Sequence, residues 1–196
     1  MRALFFSFLI LTGLNAPAQK QTYRDSLDTF QKNYVETHEV VKEADRKYFN
    51  FFPVTKKYKV IASFEKIVDP TGFIMKTSGT KTSRYFKYGT ISFTIDNKSL
   101  HLTVYQSEQL MKDQQYKNYL FVPFTDLTSG GKSYGGGKYL DFMLEDIKNN
   151  TLLVDFNKAY NPYCAYAKGY NCPIPPAEND LPVAIKAGEM NFGKSH

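Results

Sequence analysis

One short stretch of this chain gathers most of the side chains that could do chemistry. It runs from Asp155-Phe-Asn-Lys-Ala-Tyr-Asn-Pro-Tyr-Cys164 through Asn171-Cys172-Pro-Ile-Pro-Pro-Ala-Glu-Asn179 to Ala187-Gly-Glu189, and it holds both cysteines and five of the nine prolines. Asp155 and Glu178 are candidates for a paired acid and base, because two carboxyls in unequal surroundings titrate apart, as glycoside-cleaving hydrolases require. Asn157, Tyr160, Asn161 and Asn179, joined by Asp155, Glu178, Lys138 and Tyr139, are candidates for binding a small polar ligand or glycan. Tyrosines offer apolar faces with a polar tip, and carboxamides offer donors and acceptors. The same residue types also cap turns, since Asx side chains bond the backbone two residues on. The sequence leaves three functions open: ligand binding, hydrolysis, or a non-catalytic structural role in the cell envelope.

Cys164 and Cys172, with Lys168-Gly169 between them, read as a disulfide if the chain is exported. A thiol nucleophile would need a base. His38 falls in a helical stretch and His196 is the last residue, which leaves His101, in a predicted strand. The cysteine spacing fits no common zinc pattern, so no metal is expected, and no cofactor motif is present. Gly130-Gly-Lys-Ser133 and Gly135-Gly-Gly-Lys138 are not a phosphate-binding loop. Its first glycine would fall at Asp126, and Tyr139-Leu-Asp-Phe142 reads as a strand where a helix is required. Lys76, Lys81, Arg84 and Lys87 lie among aromatic residues in a stretch without acids. That pattern describes a solvated strand face, and an anionic glycan suits it better than nucleic acid.

The elements that would position these groups are mainly strands. Sixteen Phe and fifteen Tyr without a Trp suit a pleated, half-buried surface. Leu27, Phe30, Tyr34, Val41, Ala44 and Tyr48 recur at helical spacing, which predicts one amphipathic helix over residues 23–48. From Lys56 the period becomes two. Strands are predicted at 58–64, at 73–77 returning after the Asp69-Pro-Thr-Gly72 turn, and at 90–96 and 100–106 around Asn97-Lys98-Ser99. Further strands follow at 119–124, at 138–144 and 151–156 joined by a turn at Asn149-Asn150, and at 183–185. Short strands without intervening helices predict a mainly β fold, an antiparallel barrel or sandwich with one N-terminal amphipathic helix.

Residues 1–18 read as a secretory signal peptide: Arg2, an apolar run from Leu4 to Leu11, and Ala16-Pro17-Ala18 before a mature start at Gln19. The run is too short to span a bilayer, so no membrane span is expected after cleavage, and the product is expected to be periplasmic or secreted. Residues 19–55 then form the helix and connector, and 56–196 the β domain with its proline-rich C-terminal segment. Cleavage lowers the formal charge from +6 by one base, a modest positive balance that favours solubility and says nothing of fold. Oligomeric state is not legible.

Phe121-Val-Pro-Phe124, Tyr134-Gly-Gly-Gly-Lys-Tyr-Leu-Asp141 and the 155–189 stretch together resemble a bacterial and archaeal family called domain of unknown function 1684. The resemblance covers residues 28–191 and is strongest in the C-terminal half. It implies a grouping and no reaction.

Overall fold

The computed structural model describes residues 22–194; the expected signal peptide falls outside them. Helix α1 (Tyr23–Glu36) is followed by a two-turn 3-10 segment (Glu43–Tyr48). The strands are β1 (Lys59–Lys66), β2 (Phe73–Met75), β3 (Ser83–Ile95), β4 (Lys98–Ser107), β5 (Tyr119–Asp126), β6 (Lys138–Met143), β7 (Thr151–Asp155) and β8 (Asp180–Leu181), with a short helix α2 (Glu108–Met111) after β4. The sheet runs β6-β5-β4-β3-β1-β7 with antiparallel neighbours; β2 pairs with β3, and β8 runs parallel to β5. It curls into a half-barrel, so the fold is the mainly β, antiparallel one that the sequence predicts. Among the described residues no helix is long and apolar enough to cross a membrane.

Period-two alternation gives the sheet two apolar faces. Ile91, Leu102, Val104, Val122, Phe124, Leu140, Val154 and Phe156 form the inner core. Met75, Tyr85, Tyr105, Phe121 and Tyr139 form a second cluster. Each fully buried aliphatic or aromatic side chain contributes about 1.5–3 kcal/mol relative to exposure. Asp96 and Asn97 both take positive φ (51° and 58°), the two-residue turn whose twist matches a hairpin, and it joins β3 to β4 one residue earlier than predicted.

Four expectations are corrected. The 23–48 helix stops at Glu36, because the His38 ring accepts the amides of Val40 and Val41 at 3.3 and 3.0 Å and turns the chain. Strand β2 returns onto β3, not onto β1. The Asn149-Asn150 turn is present with positive φ, but it leads from β6 to β7 at opposite ends of the sheet. No strand forms at 183–185. There the Ile185 amide donates to the Asp126 carboxylate at 3.1 Å and the Leu127 amide to the Val183 carbonyl, with Val183 and Ile185 buried.

The gap between the two edge strands, β6 and β7, is the seam of the half-barrel. The chain leaving β7 closes it at one point: Tyr139 and Tyr160 exchange backbone bonds of 2.8 and 3.1 Å. Helix α1 lies over the same seam. Thr22 caps it, accepting the Asp25 amide while the Asp25 carboxylate accepts the Thr22 amide, a reciprocal cap that satisfies two otherwise orphaned donors. Leu27 buries beneath it, and the Tyr23 hydroxyl donates to Asp155.

Candidate functional site

The expected site residues separate into structural staples and a smaller set that meets a cavity. Asn179 accepts the Thr103 amide at 2.7 Å and donates to the carbonyls of Thr103 and Pro123, which pins the proline-rich segment across β4 and β5. Asn157 accepts the Thr55 amide and donates to the Thr55 carbonyl. Asn161 donates to the Met190 carbonyl, and its own amide donates to Glu189. All three are buried. Lys138 is fully buried, 3.2 Å from the Asp126 carboxylate, with its ammonium also donating to the carbonyls of Ile185 and Ala187. Tyr139 donates to the Pro173 carbonyl. Lys138, Tyr139 and the three asparagines therefore do not offer their polar groups to an external ligand. The glycine-rich loop closes on itself through Thr128 and Ser133. At Gly137 (φ 85°) an added Cβ would strike the Phe124 carbonyl.

Asp155 and Tyr160 do meet a cavity. A pocket of about 460 Å³ opens at the seam, lined among others by Tyr23, Phe30, Lys59, Asp141, Asp155 and Tyr160. Asp141 is its best-defined polar group. On β6 it lies opposite Phe121 of β5, which puts Tyr119 at the diagonal position, and the Tyr139–Tyr160 bridge puts Tyr160 at the diagonal on the other side. Both diagonals lie within reach of long side chains. The Tyr119 hydroxyl donates to one Asp141 oxygen at 2.5 Å and the Tyr160 hydroxyl to the other at 2.7 Å. Crowding by protein raises the Asp141 pKa, while the two hydroxyls pull it down. Asp141 keeps accessible surface in the pocket, so water screens part of that effect. A carboxylate offers about four acceptor sites; the tyrosines use one on each oxygen. Lys59 lies over the Tyr23 ring at 4.7 Å and Lys158 over the Phe30 ring at 5.4 Å.

Beside the seam, Glu189 is fully buried. Its carboxyl accepts the Tyr166 hydroxyl at 2.6 and 2.8 Å, the Tyr34 hydroxyl at 3.2 Å and the Asn161 amide at 2.9 Å. Burial pushes its pKa up to about 7 against those three donors. Gly188 precedes it at φ 74°, packed where an added Cβ would strike the carbonyls of Ala159 and Phe156; only glycine adopts that conformation there without strain. His38 sits in the adjoining aromatic cluster, 4.6 Å from the Tyr166 ring and 5.1 Å from the Phe49 ring. Burial lowers its pKa to about 4.

Glu178 lines a different cavity, of about 780 Å³. It pairs with Lys87 at 2.9 Å and accepts the Tyr105 hydroxyl at 3.0 Å. No residue lines both this cavity and the seam pocket, so Asp155 and Glu178 do not face one another as an acid–base pair. Cys164 and Cys172 are joined at an S–S distance of 2.15 Å, leaving no free thiol. His101 is exposed on β4 opposite Ser92, with no thiol to serve. Among the described residues no cluster of His, Cys, Asp and Glu suits a metal ion.

Residues 46–190 match the family model described as Protein of unknown function (DUF1684). The chain belongs to this family. It is also similar to an uncharacterized protein of Haloarcula marismortui whose solution structure is known, with 30% identity, 86% of this chain and 94% of the other covered, and a TM-score of 0.65. No protein of curated function matches it. The matched region contains Lys59, Tyr119, Asp141, Asp155, Lys158, Tyr160 and Glu189 but not Tyr23, Phe30 or Tyr34. The family region thus supplies the sheet side of the seam pocket, and helix α1 supplies the cover.

Several of these residues escape sequence reasoning. Asp141 ends the Tyr134–Asp141 motif and alternates out of phase with Leu140 and Phe142, a signal that it faces away from the inner core. Its partners Tyr119 and Tyr160 are separated from it by 22 and 19 positions, and only the strand register brings them together. Tyr23 lies 132 positions from Asp155, beyond any local pattern.

Proposed function

We propose that the seam pocket binds a small, uncharged polyhydroxylated ligand, a sugar being the simplest case. The observation that carries this reading is Asp141, held between two tyrosine hydroxyls on the pocket side of β6. A carboxylate fixed by flanking donors keeps a defined orientation and retains acceptor sites for ligand hydroxyls. The Phe30 and Tyr23 rings offer apolar faces for a sugar's C–H surface, and Lys59 and Lys158 offer donors. The pocket's size is within the range of small-molecule sites. Titrating isotope-labelled protein with a panel of methyl glycosides is expected to move the amide signals of Asp141, Tyr160 and Lys158 saturably. Asp141→Asn, which keeps the shape but loses the charge, is expected to weaken that binding at least about tenfold, the scale of a charge-assisted hydrogen bond, with little change in melting temperature. Uniform silence across the panel would remove the reading.

We also read the chain as exported, supported by the pattern of residues 1–18 and by the Cys164–Cys172 bond, since disulfides persist in oxidising compartments. Expression through an export pathway is expected to yield a chain beginning at Gln19 and two hydrogens short in mass. Replacing both cysteines by serine is expected to cost about 2.5 kcal/mol of unfolding free energy, the loop-closure contribution for a separation of 8 residues, read from the urea midpoint at unchanged slope. A cytoplasmic product that retains residues 1–18 would overturn the assignment.

A further inference from the structure

The second cavity has the character of a strand-docking groove. Beyond β2 the chain continues at Lys76–Ser78 with a new partner: the Ser78 amide donates to the Cys172 carbonyl at 2.9 Å, and the Ile174 amide to the Lys76 carbonyl at 2.8 Å. With Thr77 opposite Pro173, the same antiparallel register would place Pro176 opposite Ile74. Pro176 has no N–H to give to the Ile74 carbonyl, and it adopts an extended φ of −62° with ψ of 153° as it leaves the ladder for the turn at Ala177–Asn179. The ladder therefore splits. Backbone groups alternate along a strand, so Ile74, like Lys76 and Ser78, directs its N–H and C=O away from β3. Among the described residues no backbone bond reaches Ile74 from that side.

The split opens the cavity of about 780 Å³, walled by Ile67, Val68, Phe73, Ile74, Ile174 and Pro175. Val68, Ile74 and Ile174 are 88%, 49% and 44% exposed, so three large apolar side chains border one unpaired backbone edge. Such an edge is a template for an added strand. Two lysines and two carboxylates line the cavity, Lys76, Lys87, Asp69 and Glu178. The stretch from Thr71 to Ile95 contains Lys76, Lys81, Arg84 and Lys87 and no acid. The acids that do line the groove are already engaged: Asp69 accepts the amides of Gly72 and Lys87 at 2.9 and 3.0 Å, and Glu178 holds Lys87. Among the described residues no carboxylate lies within ion-pair distance of Lys76.

We propose that this groove docks an extended segment of a partner protein in which apolar side chains alternate with acidic ones, paired backbone to backbone with Ile74. The apolar side chains enter the groove and the acids meet Lys76 and its basic neighbours. The test is a titration of the isotope-labelled protein with the blocked peptide Ac-Glu-Val-Glu-Val-Glu-NH2 at physiological salt. Saturable shifts confined to residues 67–76 and 172–178 are expected, with hydrogen exchange at the Ile74 amide slowed at least tenfold at saturation. Lys76→Glu is expected to weaken binding at least fivefold. Ile74→Pro removes the outward N–H together with the isoleucine side chain and is expected to weaken it at least tenfold, with folding verified by circular dichroism. As a check that leaves the protein untouched, the peptide N-methylated at its second valine is expected to bind at least tenfold more weakly. Equal affinity for the methylated peptide would overturn backbone pairing, and equal affinity for the Lys-Val counterpart would overturn the acidic preference. Shifts produced by decanoate and not by the peptide would make the groove an acyl site, and sedimentation showing self-association through the same residues would make it a dimer edge; either overturns the proposal.

Discussion

Lys138→Met is expected to lower the unfolding free energy by about 3–5 kcal/mol, the cost of removing one partner from a buried ion pair. The ammonium occupies a site with no access to water, 3.2 Å from Asp126 and bonded to the carbonyls of Ile185 and Ala187. Methionine matches its length but cannot serve those oxygens, so a carboxylate and two carbonyls lose their donor at once. Burial lowers the Lys138 pKa, and Asp126 counters it. Asp126 also accepts the amides of Thr128 and Ile185, so the damage should spread to the 183–187 segment. Urea unfolding of the variant settles the matter, and a loss under about 1 kcal/mol would mean that the pair contributes no more than an exposed one.

The second large effect is in the pH dependence. The Glu189 pKa is raised from 4.5 to about 7 in the folded chain. Between those values the folded protein keeps a proton that the unfolded chain releases. The resulting stabilisation is full below about pH 4.5 and is lost as pH rises to about 7. His38 runs the other way: its pKa falls from 6.5 to about 4, so its contribution is present above pH 6.5 and lost as pH falls through 4. Each gives a slope of at most about 1.4 kcal/mol per pH unit, and between pH 4.5 and 6.5 the two slopes oppose. Glu39 and Arg46 act on His38, and Tyr34, Tyr166 and Asn161 on Glu189. Glu189→Gln removes the titrating proton while keeping an acceptor. Measured against wild type, its unfolding free energy is expected to gain on the order of 3 kcal/mol as pH rises from 4.5 to 7. Parallel curves for the two proteins would show that Glu189 titrates as an ordinary carboxyl. Asp141 is shifted in the same direction as Glu189, but it is common to both proteins and drops out of the difference.

Most of the strands from Lys59 to Asp155 are legible because their alternation is regular: Leu120, Val122 and Phe124 turn inward while Tyr119 and Phe121 turn outward; the first half of β3, before residue 90, is not. The helix reads as longer than it is for the opposite reason. Val41 and Tyr48 continue the spacing of Leu27, Phe30 and Tyr34, yet Val41 packs on Ala165 and Tyr166 in a separate cluster. The His38 ring competing for two amides leaves no trace in periodicity. The site was legible as a region and not as a set. Asn157, Asn161 and Asn179 carry much of the polarity of the segment, and each directs it to backbone belonging to another segment. Asp155 and Tyr160 do line the seam pocket. Asp141 is not legible as a site residue because its role depends on Tyr119 and Tyr160, which only the sheet register brings near.

The position of helix α1 over the seam also sets the order in which the chain can assemble. Its anchors are Tyr23 on Asp155 and Tyr34 on Glu189, 132 and 155 residues away, and β1 finds its outer neighbour only when residues 151–155 exist. Growing from its amino end, the chain makes the helix first and its landing site last. The β3–β4 hairpin closes locally, but an intermediate shortened before Thr151 leaves one edge of β1 bare and α1 without a dock. Contacts so distant along the chain place folding among the slower β topologies, in milliseconds to seconds, with docking of the first-made element as the closing step.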